Sequence, residues 1–266
     1  MTDASTTVLP AALANVDPAQ VVLLLDCDGV LAPIVDDPAA AAVPEPVLSL
    51  VRRAVDECAL VAVVTGRNVE RAREMVPVDG VWLAGMHGMH VVAPDGTEFL
   101  DEVAVAAREH VAVAAQLAQT VGWAYEDKDL TVTIHFRQRG ALGQDVDAEH
   151  VKAQLMTVLN PLKVEVQHAK QVLEIRPKGS KTKADGVRIV ADSVSGIESK
   201  VVVYVGDDLT DLDAFHGLDE LHARGIRTVK IAVGGSEAPE ALVAAANHVL
   251  ERESDVPIFL AALLGN

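Results

Sequence analysis

The chain has few aromatic residues: two tryptophans, two tyrosines and four phenylalanines among 266 residues. A surface that stacks successive nucleic-acid bases is therefore poorly supplied. Basic charge is scarce as well. Lys and Arg number 22 against 39 Asp and Glu, a formal net charge of −17, so duplex DNA and anionic membrane surfaces are repelled in general. An anionic small molecule stays compatible, given a local cluster of Lys and Arg or a bound cation. There are two cysteines, Cys27 and Cys58, which make no secreted disulfide framework and lack metal-ligand spacing. No uninterrupted apolar stretch reaches membrane-spanning length. The opening MTDASTTVLP has no basic segment followed by an apolar run. These absences lead to the expectation of a cytoplasmic protein that binds a small molecule and neither nucleic acid nor membrane.

Apolar residues, in contrast, make up 50% of the chain. That is enough for one sizeable core, or a core with a smaller inserted domain. VVLLLD (21–26), LVAVVTG (60–66), VWLAG (81–85), KVVVYVGDD (200–208) and TVKIAVG (228–234) are apolar runs of strand length. Such runs read as strands of a parallel sheet covered on both faces. Helical stretches at 44–58, 68–76, 183–192 and about 239–246 alternate with them. A short strand at His248–Leu250 and a terminal helix VPIFLAALL follow. Residues 1–20 read as a loose tail with a short helical piece.

The pattern changes between 101 and 177. An alanine-rich helix (101–120) whose simplest role is to cover a sheet, an alternating strand DLTVTIHFR (129–137), a helix at 146–159 and paired strands in KVEVQHAKQVLEIRP (163–177) suggest a small α+β domain. The expected organisation is an α/β core over 21–100 and 178–266, with an α+β domain inserted over 101–177.

In open parallel sheets, ligands bind beyond the carboxyl ends of the strands. There the first strand offers Asp26 and Asp28, the second Thr65, Gly66 and Arg67, and the fourth Asp207, Asp208 and Asp211. Five gathered carboxylates repel one another unless a cation joins them, and oxygen ligands suit Mg²⁺. The chemistry open to such a set is phosphoryl transfer. One carboxylate attacks phosphorus to form an acyl phosphate. A second, two residues on, protonates the leaving alcohol and later deprotonates water. A hydroxyl, for which Thr65 is placed, and a lysine hold the remaining oxygens. Each piece alone has a simpler reading. Asp-Gly favours a turn, and Thr210 with Asp213 is spaced as a helix cap. The three together, in this order, point to phosphoryl transfer.

The segments LLLDCDGVLAPI (23–34), VVTGR (63–67), AGMHGMHV (84–91), YEDKDLTVTIHFR (125–137), LEIRP (173–177) and YVGDDLTDLDAF (204–215) carry a family likeness. The chain resembles the haloacid-dehalogenase-like (HAD) superfamily of phosphatases and, within it, the trehalose-6-phosphate phosphatase family, over about residues 21 to 250. The resemblance implies a Rossmann-like core with a C2-type α+β cap. It also implies Mg²⁺-dependent hydrolysis of trehalose 6-phosphate through an aspartyl-phosphate. By the same likeness Asp26 is the nucleophile. Asp28 is the general acid/base and lends its backbone carbonyl to the metal, and Asp207 is a further ligand. Asp208 and Asp211 support the metal shell and the lysine. Thr65 holds the phosphoryl group on a loop shaped by Gly66 and Arg67. Gly85, His87 and Gly88 line the mouth of the core, and Glu126, Lys128, Arg137 and Glu174 face the sugar.

The chain departs from the family at Cys27, Val30 and Leu212, and in RPKGSKTKADG (176–186). In that stretch Lys183, six residues after Pro177, fits the family's longer spacing, with Ala184 where glycine is usual. Lys181 reads as a hinge charge, and Asp185-Gly186 counts against a regular helix there. Cys27 and Cys58 read as core. His135 and His168 read as sugar contacts or exposed strand residues. Sucrose 6-phosphate and mannosyl-3-phosphoglycerate are alternative substrates on the same chemistry. A catalytically silent sugar-phosphate-binding regulator is the alternative outside catalysis.

Overall fold

Strands built of valine and leucine with no polar residue must be covered on both faces. The computed structural model describes residues 8–35, 37–135, 147–169, 172–235 and 238–265. In it the chain forms two units, Met1–Glu98 with Thr182–Asn266, and Phe99–Lys181. These divisions lie a few residues outside the expected 101 and 177. Lys181 donates its amide to Asp101 Oδ2 at 2.6 Å, and its carbonyl accepts from Arg176 Nη2 at 2.6 Å, so the 178–181 stretch stays with the second unit.

In chain order the elements are β1 (Val21–Leu25), α1 (Glu45–Glu57), β2 (Leu60–Val64), α2 (Val69–Met75), β3 (Trp82–Gly85), β4 (His90–Val92) and β5 (Glu98–Leu100). The second unit then supplies α3 (Glu102–Val121), β6 (Tyr125–Asp127), β7 (Val132–His135), α4 (Ala148–Val158), β8 (Val164–Ala169) and β9 (Val172–Pro177). The chain returns with α5 (Lys183–Asp192), β10 (Val201–Gly206), α6 (Asp211–Ala223), β11 (Arg227–Val233), α7 (Glu240–Ala245), β12 (His248–Leu250) and α8 (Val256–Leu263).

The sheet of the first unit runs β12-β11-β10-β1-β2-β3-β4-β5, and the division between units falls inside β5. From β12 to β3 every pairing is parallel, and β4 returns antiparallel to β3. On one face Leu23, Leu25, Val63 and Val203 pack with α1, α2 and α8. On the other, Leu24, Val64, Val202 and Tyr204 pack with α5, α6 and α7. A fully buried Leu or Val contributes about 1.5–3 kcal/mol. Leu13 is buried in the first of these clusters, so part of the expected loose tail is packed. Cys27 is core as expected, whereas Cys58 is only half-buried.

The second unit has an antiparallel sheet, β6-β7-β9-β8. Asp101 caps α3 by accepting from the Val103 amide at 3.0 Å, and Gly122, at φ 82°, ends it in the left-handed conformation. Ala114 and Ala118 of α3 and Leu155 of α4 pack on Val132, Ile134, Leu173 and Ile175. The alanine-rich helix therefore covers this sheet. The expected strand 129–137 is described as Val132–His135, and Phe136 and Arg137 lie outside the described residues.

Candidate active site

The chain adds β2 and β3 on one side of β1, then returns to add β10, β11 and β12 on the other. The switch point lies between β1 and β10, paired in register up to Leu25↔Val205. Asp26 and Asp207 follow at the carboxyl ends of these two strands, where such sheets bind ligands. The Asp26 amide still donates to the Val205 carbonyl at 2.9 Å, which fixes the first carboxylate against the second strand.

Lys183 joins them from the first residue of α5. Its Nζ lies 2.9 Å from Asp26 Oδ2 and 2.7 Å from Asp211 Oδ1, and it is 1% exposed. Asp185-Gly186 does not spoil that helix. Asp185 Oδ2 accepts from the Thr182 amide at 2.9 Å, closing a capping box with Thr182. Gly186 lets α5 approach closely, since a Cβ on it would stand 3.3 Å from Gly88 Cα. Lys181 belongs to the second unit through its backbone.

Asp211 is the hub. Its Oδ1 accepts from Lys183 and from the Tyr204 hydroxyl at 2.6 Å, and its Oδ2 accepts from the amides of Asp207 and Asp208 at 2.9 and 3.0 Å. These four bonds use a carboxylate's ordinary lone-pair capacity. Thr210 makes no side-chain capping bond to α6, so the helix-cap reading of this segment fails. Asp208 turns back on its own loop, with Oδ1 accepting from the Leu209 amide at 2.7 Å. Tyr204 escapes a motif-based reading. Its one signal is a polar aromatic inside an aliphatic strand that would otherwise bury cleanly.

The β2 end forms a second cluster. Thr65 is buried, and its Oγ1 accepts from the Arg67 amide at 3.2 Å. The His87 amide donates to the Thr65 carbonyl at 2.9 Å. A Cβ on Gly66 would meet the His87 ring at 2.7 Å, so the glycine lets the imidazole lie on the loop. Met86 and His87 have φ of 48° and 56°, a costly conformation that persists where its surroundings enforce it. Gly88 follows at φ 90°, where a Cβ would stand 2.5 Å from the Thr182 carbonyl. Asp28 is held apart from the other carboxylates in a two-pronged ion pair. Arg67 Nε and Nη2 reach its Oδ2 and Oδ1, each at 2.7 Å.

Burial raises the Asp26 carboxyl well above its ordinary range. Lys183 opposes the rise, while Asp211 and Asp207 add to it. Burial, then Asp211, pushes Asp207 up to about 8. Burial works against the Lys183 charge, but Asp211 and Asp26 outweigh it and raise its pKa. Oxygens of Asp26, Asp207 and Asp211 lie within 4.8 Å of one another, so one ammonium faces three carboxylates. A divalent cation fits this imbalance, and all-oxygen ligands suit Mg²⁺. With Asp211 saturated, Asp26 and Asp207 are the carboxylates that would hold it. The Asp207 carboxylate lies in a cradle opened by Gly29, at φ 74°, where a Cβ would stand 2.1 Å from Oδ2. The Asp28 carboxylate is outside this group.

In the second unit, Glu126, Thr133, Glu174 and Gln167 stand in one cross-strand row over the four strands. The residues that alternate with them, Val132, Ile134, Leu173 and Ile175, face the helices. Lys128 Nζ lies 3.7 Å from Glu126 Oε2. Burial lowers the His135 pKa, Glu126 opposing and Lys128 adding, so His135 belongs with this polar group. His168 does not, since its Nε2 meets Glu149 of α4 at 3.4 Å. The departures from the family are packed residues. Val30 and Cys27 sit in one core cluster, and Leu212 packs against the other.

The trehalose-phosphatase family model matches residues 24–248. A trehalose-phosphate phosphatase of Mycobacterium tuberculosis is 33% identical over 205 residues, which are 74% of this chain and 51% of that protein. A much longer M. tuberculosis protein, named an uncharacterised glycosyl hydrolase, is 35% identical over 203 residues, 73% of this chain and 15% of its own length. The chain thus spans about half of one relative and a small part of the other. The solved C-terminal domain of C. albicans trehalose-6-phosphate phosphatase superposes with a TM-score of 0.72 at 22% identity, covering 93% of each chain. That likeness shows the fold: a Rossmann-like core with an additional antiparallel sheet.

Proposed function

The chain belongs to the trehalose-phosphatase family, and from that premise we propose that it hydrolyses trehalose 6-phosphate to trehalose and phosphate. The observation that carries the chemistry is the Lys183 ammonium, 2.9 Å from Asp26 and 2.7 Å from Asp211 at the switch point of the sheet. It screens the nucleophile from an anionic substrate and steadies charge on the transferring group.

A carboxylate oxygen of Asp26 attacks phosphorus, and the bond from phosphorus to the leaving oxygen breaks. The carboxylic proton of Asp28 passes to that oxygen, which gives free sugar, an aspartyl-phosphate and the Asp28 carboxylate. Water then attacks phosphorus and gives its proton to Asp28, and the acyl-phosphate bond breaks to restore Asp26 and release phosphate. The Thr65 hydroxyl holds a phosphoryl oxygen, and the His87 ring lines the mouth beside Gly66. Asp26 and Asp207 would hold Mg²⁺, which when bound would neutralise charge and polarise the phosphoryl group. Glu126, Lys128 and Glu174 of the second unit, with Arg137, read the sugar hydroxyls.

Phosphate release from trehalose 6-phosphate, sucrose 6-phosphate and mannosyl-3-phosphoglycerate, with Mg²⁺ or with a chelator, tests the proposal. Mg²⁺-dependent turnover favouring trehalose 6-phosphate is expected. Preference for another member reassigns the substrate, and no turnover on any of them removes the phosphatase reading. Among the described residues no helix is long and apolar enough to cross a membrane.

A further inference from the structure

Asp28 is not oriented by the buried lysine network. Its carboxylate is fixed by Arg67, whose Nε and Nη2 each lie 2.7 Å from a different oxygen. Such a fork sets both the plane and the position of a carboxylate, where a single ammonium would set only its distance. The guanidinium is itself held, since Nη1 donates to the Pro38 carbonyl at 3.0 Å. Four residues on, Arg71 Nη2 donates to the carbonyls of Ala39 and Ala41 at 2.9 and 2.8 Å. Two arginines therefore strap the Pro38–Ala41 segment, and only the first of these two also holds Asp28. The Arg67 side chain is 13% exposed and that of Asp28 38%, so the more buried partner anchors the more accessible one.

We propose that Arg67 is the positioning residue of the acid/base. It aims the Asp28 carboxyl at the leaving oxygen through the fork alone, and the Pro38 carbonyl steadies the guanidinium without Arg71. Arg67 touches neither nucleophile nor phosphorus in this role. It acts through Asp28 on the step in which the bond from phosphorus to the leaving oxygen breaks and the Asp28 proton moves to that oxygen. Its effect must then scale with how much the leaving group needs a proton. Phenolate needs one far more than p-nitrophenolate does. The inference rests on the phosphatase reading.

The test is single-turnover release of the phenol from phenyl phosphate and from p-nitrophenyl phosphate, with Mg²⁺ present. General acid catalysis is worth about 10²–10⁴-fold, so Arg67→Gln should slow phenyl phosphate by at least about 10-fold and p-nitrophenyl phosphate by less than about threefold. In an Asp28→Asn background, adding Arg67→Gln should change the phenyl phosphate rate by less than about twofold, since the group it aims is gone. Arg71→Gln, which loosens the same segment without touching Asp28, should leave the ratio of the two rates unchanged. Circular dichroism checks each fold. Should Arg67→Gln not fold, Arg67→Lys keeps the charge, loses the fork and is expected to show the same leaving-group dependence. Equal losses on both substrates, additive losses with Asp28→Asn, or a shifted ratio in Arg71→Gln in an active wild type overturn the inference alone. A wild-type protein inactive on both substrates overturns the phosphatase reading together with it.

Discussion

The two units handle polar side chains in opposite ways. The first buries Asp26, Lys183, Tyr204 and Asp211 in one connected network. In low dielectric, each missing partner leaves a charge or dipole exposed to nothing but apolar atoms, so the geometry is over-determined. The second lays Glu126, Thr133, Glu174 and Gln167 across four strands in register. Each of those side chains is placed by its own strand. Changing one need not move the others, and such an array can be retuned residue by residue. In the proposed function, bond-making falls to the network and selectivity to the row.

The harshest way to break the comparison is Asp26→Asn. The substitution nearly keeps the shape and removes the anionic oxygen proposed to attack phosphorus. Turnover should fall essentially to background on every substrate, with the fold retained by circular dichroism. Acid quench of wild type with labelled substrate should leave the label on Asp26. Label elsewhere, or an active Asn variant, would mean that the network does not hold the nucleophile.

Lys183→Ala comes next. Losing a preorganised charge donor costs at least about 10²-fold in turnover. Because it also leaves Asp26 and Asp211 buried without their ammonium, stability should drop by about 3–5 kcal/mol. Kinetics and urea unfolding read the two losses separately. Lys181→Ala is the control. Lys181 bonds to Asp101 and Arg176 through its backbone amide and carbonyl, which the substitution keeps, so activity should be retained.

Glu174→Gln probes the row. A hydrogen bond to a charged group contributes about 1.5–3 kcal/mol, so kcat/KM on trehalose 6-phosphate should fall about 10-fold or more. p-Nitrophenyl phosphate has no sugar to grip, and its turnover should stay near wild type. Equal losses on both substrates would erase the distinction between the units.

How far these contrasts are legible in sequence depends on what carries them. The strands before Asp26, Thr65 and Asp207 can be read because parallel strands bury both faces and leave continuous apolar runs. Polar residues then mark where each strand ends. Three-residue strands are barely legible: β12 (HVL) is read, but β4, β5 and β6 (HVV, EFL and YED), with neither a run nor a period, escape notice. Asp185-Gly186 misleads for a physical reason. Its two residues are poor helix formers singly, yet one closes the cap and the other permits close packing against Gly88. The ion pair between Asp28 and Arg67 spans 39 residues, and no local pattern announces it.

The smallest expected effect comes from Tyr204→Phe, inside the network but one bond removed from Asp26. The variant loses the 2.6 Å bond to Asp211, while Asp211 keeps Lys183 and two backbone amides. The ring should keep its edge-on packing against Phe215, 6.1 Å away between centroids. Tyr204 reaches the reacting atoms only through Asp211, so turnover should fall by no more than about 10-fold, less than the full ~1.5–3 kcal/mol of a hydrogen bond to a charged group, and equally on sugar and aryl phosphates. The same residue gives a pH signature. Burial, then the Asp211 charge, raises the Tyr204 phenol well above its ordinary value. Above the unfolded phenol's pKa of about 10, the unfolded chain has lost that proton while the folded chain retains it. The folded state then binds more protons, so stability falls as pH rises. The phenol's contribution is fully present below about pH 10 and is lost from there toward the folded value. Urea unfolding of wild type and Tyr204→Phe between pH 8 and pH 11, ranges set by that unfolded value of about 10, should show a steeper alkaline decline in wild type. Parallel declines in the two proteins would show that Tyr204 does not share in the buried network, and that Asp211 is held by Lys183 and the backbone alone.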